Sequence, residues 1–432
     1  MKDPRDMLDQ GNMRPLQIIV VIITILLNAI DGFDVLSISF AAPGIAREWG
    51  ISPAALGVVM SMELIGMAIG SFFLGGVADR VGRRPTLLGC LAVMTVGMLL
   101  VTTATNTIQL SVWRVMVGLG IGGILACINA VVAEFSNVKR RGLCISIMVI
   151  GYPLGGTFGG MAASHLLQIH DWRSIFYLGA VLTGILLPAV YFFVPESVHW
   201  LARKQPKNAL ARINATLDRM KLALVTELPR CDGMDEKTSL ADIFSKSLLG
   251  PTLILTAAYF LHITTFYFIL KWSPKVVADM GFSPSLAGQV LVWVSMGGAI
   301  GGALFGWLTT RIGLKRLTIV ILFLTAVFVA VFGRTSADLS QIKLLAAFAG
   351  FFGNAGISGL YSILAVSFPT HVRATGTGFV IGVGRAGAVC SPILAGFLLQ
   401  SGATLPSVAL VMGFGSLLAG MFLVFLKMQS HQ

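Results

Sequence analysis

Twelve apolar runs, each long enough to cross a lipid bilayer, limit this chain to a membrane-spanning helical fold. A helix needs about 20 predominantly apolar residues to cross the hydrocarbon core, where every backbone polar group must be hydrogen-bonded within the protein. Of 432 residues, 56% are hydrophobic and 12% are charged, whereas about a quarter are charged in a soluble domain. We predict an all-α membrane protein with spans at residues 16–40, 53–78, 85–105, 108–134, 142–167, 173–194, 250–271, 284–309, 316–333, 342–367, 374–400 and 404–427.

The longest connection, residues 195–249, divides the spans six and six. It predicts an N-terminal six-helix bundle at residues 1–194, a cytoplasmic linker at 195–249 and a C-terminal six-helix bundle at 250–432. In the linker, Pro206 precedes an apolar stripe from Ala209 to Met220, which is typical of a short amphipathic helix. The linker is too short for a core of its own, which argues against a membrane sensor with a soluble output domain.

The basic residues are sorted by side of the membrane. If the N-terminus is cytoplasmic, 23 of the 31 Lys and Arg residues lie in inward-facing stretches, while Lys271 and five others lie in outward ones. This is the positive-inside pattern, and it predicts that both termini are cytoplasmic. The net charge of +12 therefore reports topology, and no nucleic-acid partner is expected. The five cysteines contain no CxxC pair, so neither a disulfide framework nor a metal site is indicated.

The two halves of the sequence resemble each other. Arg80 and Gly82, after the second span, recur 231 residues later as Arg311 and Gly313. Glu134-Phe135 before Arg140 is matched, 233 residues later, by Ser367-Phe368 before Arg373. Two landmarks at nearly one offset predict a duplicated six-helix unit, an arrangement that places a substrate site between repeats.

The first span contains two acids, Asp31 and Asp34. An ionised side chain near the bilayer centre costs about 2.5–3.5 kcal/mol on insertion scales, so a compensating partner or a water-filled cavity is expected. At a spacing of i and i+3 the two acids share one helix face. We predict that they carry the coupling proton and help to bind substrate.

Two arginines also lie within spans. With a rise of 1.5 Å per residue, Asp31 and Arg114 both lie roughly 8–9 Å below the outer boundary, and Arg385 lies about 17 Å from the inner one. Two arginines facing two acids across a cavity would suit an anionic substrate, and a guanidinium suits a carboxylate. The alternative for Arg114 is a structural arginine buried against backbone carbonyls.

The loop after the second span carries a recognisable motif. The stretch from Gly75 to Arg84 closely resembles the GxxxDRxGRR signature of the major facilitator superfamily, and it contains Gly76, Asp79, Arg80, Gly82, Arg83 and Arg84. The resemblance implies that these residues help to govern the inward gate. Arg114 and the glycines after it are similar to the RxxxGxGxGG motif. In that superfamily, this motif is associated with proton-coupled members. Thr310 replaces the acid in the second-half loop, which predicts weaker gating charges there.

A narrower resemblance extends across nearly the whole chain. Its elements are the pair Asp31 and Asp34, the loop Asp79 to Arg84, Arg114, Pro195-Glu196-Ser197, Trp272-Ser273-Pro274 and Gly382 to Arg385. Together they look like the aromatic acid:proton symporter family of that superfamily. The resemblance implies that benzoate-like carboxylates are taken up across the bacterial inner membrane. Their uptake would supply aromatic hydrocarbon catabolism. It also implies that Asp31, Asp34, Arg114, Glu134, Arg373 and Arg385 are functionally sensitive.

Three further residues leave alternatives open. Glu63, in the middle of the second span, is either a second protonation site or a neutral acid hydrogen-bonded to the backbone. Glu134 is expected to form a cytoplasmic ion pair with Arg140 and Arg141. His262 is better explained as a hydrogen-bonded core histidine than as a titrating group.

These patterns predict a monomeric, proton-coupled importer of an aromatic carboxylate that works by alternating access. Its partners are a small organic anion, protons and the lipid bilayer, and the proton is the only coupling ion, with no cofactor. The alternatives are transport of a non-aromatic organic acid such as muconate, or drug/proton antiport. No nucleophile with a base and no metal cluster is found, so an enzyme is not predicted.

Overall fold

The computed structural model describes residues 3–229, 240–246, 248–309, 311–369 and 372–426. Within these residues every regular element is helical. The first half contains α1 (Pro4–Gln10), α2 (Pro15–Trp49), α3 (Pro53–Val81), α4 (Arg83–Thr102), α5 (Thr107–Glu134), α6 (Arg141–Ile169) and α7 (Arg173–Phe193). The linker contains α8 (Val198–Lys204), α9 (Ala209–Arg219) and a 3₁₀ turn at Leu240–Phe244. The second half contains α10 (Leu249–Asp279), α11 (Pro284–Thr309), α12 (Leu314–Phe332), α13 (Leu339–Ser367), α14 (Arg373–Gln400) and α15 (Leu405–Phe425).

Twelve helices in the described part of the chain, α2–α7 and α10–α15, are long and apolar enough to span a membrane. The predicted number and order of spans are therefore confirmed. Large apolar side chains such as Phe72, Ile185 and Phe425 are exposed on them, as expected where helices contact lipid rather than water. The chain is a multi-pass membrane protein.

Two predicted span ends are wrong. The first span was expected to end at residue 40, but α2 continues through Pro43 to Trp49. The seventh was expected to end at 271, but α10 passes through Pro274 to Asp279. Proline is tolerated inside membrane helices because neighbouring groups satisfy the freed backbone carbonyls. Lys271, assigned above to an outward-facing stretch, consequently lies inside α10.

The linker helix α9 confirms the predicted amphipathic segment. Its apolar side buries Ala209, Ile213 and Leu217. The helix begins after Asn208, whose backbone is left-handed, and not at Pro206. Helix α8 was not predicted; Ser197 caps it by accepting a hydrogen bond from the backbone N–H of Trp200 at 3.2 Å.

The chain forms two compact units. The first comprises the described residues within Met1–Val35, Ile65–Gly155 and Phe176–Asp235; the second comprises those within Leu36–Leu64, Gly156–Ile175 and Glu236–Gln432. Segments from α2, α3 and α6 are thus grouped with α10–α15. This division does not follow the boundaries predicted at residues 194 and 250, so the six-and-six organisation stays a prediction drawn from sequence.

One packing motif occurs separately in each unit. In the first unit, a Cβ added to Gly66 or Gly70 of α3 would overlap a backbone oxygen of α5. Gly297 and Gly301 of α11, each 231 residues later, lie equally close to backbone oxygens of α13. Small residues four apart allow such close approach of helices in membranes. The shared offset supports the duplicated unit predicted from the loop motifs.

Candidate functional site

Asp31 and Asp34 lie about one turn apart on α2, in the first unit, and both side chains are fully buried. This part of α2 packs directly on α6, because a Cβ at Gly32 would overlap the backbone oxygen of Tyr152. Asn28 strengthens the contact by donating a hydrogen bond to the backbone oxygen of Met148 at 2.7 Å. Close backbone packing therefore holds the segment that presents the two ionisable groups.

Arg114 of α5 is fully buried beside the same segment. Its Nη2 donates a hydrogen bond to the backbone oxygen of Asp34 at 3.2 Å, and its Nη1 lies 3.9 Å from Sδ of Met98. The guanidinium carbon lies 5.4 Å from the centroid of the Phe176 ring. The structure thus brings Arg114 beside the segment of α2 that carries both acids, in agreement with the equal depths predicted for Asp31 and Arg114. The bond to a carbonyl matches the alternative of a structural arginine, and a role in substrate binding stays a prediction.

The carboxylates also face α4 and α7 of the same unit. An added Cβ at Gly179 of α7 would lie 3.2 Å from Oδ1 of Asp34. The Asp31 carboxylate is near enough to Cys90 of α4 to interact with it electrostatically. The segment that carries the predicted proton carriers therefore packs against α5, α6 and α7, and both side chains are fully buried. A change of charge is felt strongly there because water is largely excluded.

Arg385 lies on α14 in the second unit and is half-buried. Its charge acts on the buried phenol of Tyr259 on α10. The Tyr259 hydroxyl lies 3.1 Å from that of Tyr361 on α13, and the two rings stack with centroids 5.7 Å apart. Tyr361 is 43% exposed. This half of the predicted site therefore has a cation and two phenols, and the ring of one of the phenols, Tyr361, is accessible. The cavity predicted to join it to Asp31 stays a prediction.

Glu63 forms an ion pair that the sequence did not suggest. Lys271 Nζ lies 3.5 Å from Glu63 Oε2, and both side chains are fully buried in the second unit. A side-chain partner on α10 was not among the alternatives considered above. A role for Glu63 in proton transfer stays a prediction.

The loop motif after α3 forms a charge cluster with the end of α5. Arg83 lies 2.6 Å from Oδ1 of Asp79 and 3.1 Å from Oε1 of Glu134. Glu134 forms an ion pair as predicted, but the predicted partners, Arg140 and Arg141, are wrong. Arg141 instead pairs with Asp9 of α1 at 2.6 Å, because α1 packs beside the turn that joins α5 and α6.

Gly82, in the middle of this motif, is required by its conformation. Its φ is 118° and its ψ is 162°, a region that is essentially restricted to glycine. A Cβ there would also overlap the carboxylate of Glu196. Glu196 Oε1 accepts a hydrogen bond from the backbone N–H of Arg83 at 2.8 Å. An anion therefore occupies the N-terminus of α4, where the helix dipole favours it.

The remaining predicted gating residues differ in environment. Gly76 and Arg80 are exposed on α3. Arg84 donates a hydrogen bond to the backbone oxygen of Tyr191 at 2.6 Å. The backbone N–H of Arg140 donates to the Asn137 side chain at 3.0 Å. Arg373 donates to the backbone oxygen of Phe368 at 3.3 Å. Thr310 lies outside the described residues.

Three residues of interest were missed or undervalued. Lys271 was misplaced because Trp272-Ser273-Pro274 suggested the end of a helix. Glu196 was named only as part of the Pro195-Glu196-Ser197 motif, and no role was predicted for it. Its position as an acid shortly after a span is the signal in the sequence that could have identified it. Tyr259 belongs to no motif in the sequence. It is of interest because it lies near Arg385, which is far from it in the sequence.

His262 agrees with the preferred structural interpretation. It is fully buried, with Nδ1 2.8 Å from the Ser416 hydroxyl and Nε2 2.9 Å from the backbone oxygen of Gly353. Both ring nitrogens therefore have partners. In the described residues, no group of three or more His, Cys, Asp or Glu side chains has an arrangement suited to a metal ion.

Comparison with known sequences identifies the family. Residues 24–332 and 252–431 match the Major Facilitator Superfamily. The chain belongs to this superfamily. A solved D-xylose-proton symporter has the same fold, with a TM-score of 0.72 and 17% identity, covering 94% of this chain and 97% of the symporter. The predicted fold of twelve helices is thereby confirmed.

Several relatives in sequence are named as aromatic acid transporters. A gallate transporter of Pseudomonas putida is 29% identical, covering 97% of this chain and 94% of the relative. The 4-hydroxybenzoate transporter PcaK of Pseudomonas aeruginosa is 28% identical, covering 90% and 88%. The 3-(3-hydroxy-phenyl)propionate transporter of Escherichia coli is also 28% identical, covering 92% and 90%. The resemblance to aromatic acid transporters is confirmed, and the family and these relatives are transporters rather than enzymes.

Proposed function

We propose that this superfamily member imports an aromatic carboxylate, such as a benzoate or hydroxybenzoate, together with protons by alternating access. The observation that carries the proposal is the fully buried pair Asp31 and Asp34 with Arg114 hydrogen-bonded beside it. Buried ionisable groups are costly in a membrane protein and typically mark ion or substrate pathways. The names of the relatives support the aromatic cargo.

Each residue has a proposed role. Asp31, Asp34 and Glu63 exchange protons, while Arg114 and Arg385 bind the carboxylate with help from the two aspartates. Protonation of a buried aspartate removes a charge from a poorly solvated site, which changes the relative stability of the transport states. The Asp79, Arg83 and Glu134 cluster would control the inner gate, with Gly76, Arg80, Gly82, Arg84, Arg140 and Arg373.

The proposed location is the bacterial inner membrane, with both termini in the cytoplasm. The excess of Lys and Arg in the predicted inward-facing stretches supports this orientation. The protein would act as a monomer and would need no cofactor besides the coupling proton.

Uptake of labelled 4-hydroxybenzoate into proteoliposomes tests the proposal. We expect accumulation above the external concentration only with an inward proton gradient, and collapse of the gradient should abolish it. Competition by benzoate and gallate, but not by muconate or a cationic drug, would support an aromatic carboxylate site. Proton-driven efflux, or competition by muconate alone, would overturn the proposal.

A further inference from the structure

The Glu63–Lys271 ion pair joins a helix of the first half of the sequence to one of the second half. Glu63 lies ten residues after Pro53, the start of α3, and Lys271 lies eight residues before Asp279, the end of α10. At a rise of 1.5 Å per residue, the two groups are about 15 and 12 Å from the helix ends that the charge pattern predicts to be outside. Both charges are fully buried.

The contacts around this pair are close and lie toward the same ends of the helices. Ser61 donates a hydrogen bond to the backbone oxygen of Val389 on α14 at 2.8 Å. A Cβ at Gly57 would overlap the backbone oxygen of Pro392, which also accepts a hydrogen bond from the Trp272 indole at 3.2 Å. All these residues belong to the second unit. The predicted outer end of α3 is therefore closed against α10 and α14.

We infer that Glu63 and Lys271 form an electrostatic latch that holds the outer ends of α3 and α10 together when the outer side of the transporter is closed. Replacing either residue by a neutral one removes the attraction between these two buried groups, which weakens the contact between α3 and α10 in that state. When the helices separate, entering water can solvate each charge. Loss of one charge should therefore destabilise the closed outer side more than the open one.

A second ion pair on α10 provides a matched comparison. Lys275 pairs with Asp279 one turn along the same helix, and Asp279 is exposed. This pair joins two residues of α10 and does not link α10 to another helix. Its removal changes the charge of α10 near the proposed latch but leaves the contact with α3 intact.

The test uses Ser61→Cys as a reporter in a parent whose five native cysteines are replaced by alanine. Ser61 is fully buried, so a membrane-impermeant maleimide added to intact cells should label Cys at this position only when the outer ends of α3 and α14 separate. Glu63→Gln and Lys271→Gln should each raise the labelling rate by about tenfold, a typical coupling between states. The double variant Glu63→Lys/Lys271→Glu should return it toward the parent rate, and Lys275→Gln should leave it unchanged.

Equal labelling of the parent and both neutral variants, at equal amounts in the membrane, would overturn the latch. If a single variant does not reach the membrane, the charge-exchanged variant decides: slow labelling supports the latch and fast labelling overturns it. The inference rests on proposed alternating access but not on the cargo. Because labelling is measured without substrate, a failed uptake assay and a failed latch are distinguishable.

Discussion

Arg114 is hydrogen-bonded to the backbone oxygen of Asp34 at 3.2 Å. Since a backbone oxygen does not titrate, this bond can persist whether or not the Asp34 carboxylate carries a proton. Protonation of the acid would therefore leave this particular bond intact. In the proposed mechanism, proton binding would remove buried negative charge from α2 without breaking this contact with α5.

The first prediction concerns Asp31. Asp31→Asn should abolish proton-driven accumulation, because the amide is similar in size but cannot exchange a proton at this buried site. In proteoliposomes with an inward proton gradient, internal substrate should then only equal the external concentration. Exchange of labelled for unlabelled substrate, which needs no net proton movement, serves as the control for folding. Retained accumulation would refute the proton assignment.

The second prediction concerns Arg385. Arg385→Lys should raise the KM for the carboxylate roughly tenfold, because loss of one charge-assisted hydrogen bond costs about 1.5 kcal/mol. The maximal uptake rate should change less. Arg334→Lys makes the same substitution at an exposed arginine and should leave the KM unchanged. An unaltered KM in Arg385→Lys would remove this residue from the binding site.

Much of the fold was predictable because local signals determine it. Apolar length determines the twelve spans, and a stripe of apolar residues determines α9. The loop motif after α3 contains Asp79 and Arg83, two members of the charge cluster, but not Glu134, the third. These signals depend on residues that are near one another in the sequence, where helix periodicity makes spacing informative.

The partners of the charged groups were not predictable, because they depend on tertiary packing. Glu134 has two arginines within seven positions in the sequence, yet it pairs with Arg83, 51 residues away. Glu63 and Lys271 are 208 residues apart. An apolar segment shows that a buried charge needs a partner, but many arrangements of helices would provide one. A substrate cavity likewise depends on how the helices pack, so the predicted cavity stays a prediction.

The third prediction concerns the repeated glycines. Gly66→Ala and Gly297→Ala should each destabilise the protein by about 1–3 kcal/mol, the usual range for overpacking. The added methyl groups would meet backbone oxygens of α5 and α13, which cannot move as a flexible side chain can. Thermal unfolding in detergent measures the effect. Gly306→Ala on α11 is the control, since nothing lies within 4 Å of its added Cβ. A neutral result at only one of the two repeated positions would contradict equivalent packing.

The fourth prediction concerns Gly82, which lies between α3 and α4. Gly82→Ala should destabilise the protein by about 1–3 kcal/mol through backbone strain, with a further cost because the methyl group displaces Glu196 from the start of α4. Glu196→Gln should lose less stability, since the amide oxygen can still accept the hydrogen bond from the Arg83 backbone N–H. Thermal unfolding of both variants checks this order. Gly89→Ala, in open space on α4, should cause no loss. If Gly82→Ala were as stable as Gly89→Ala, the backbone at position 82 would have to adopt another conformation.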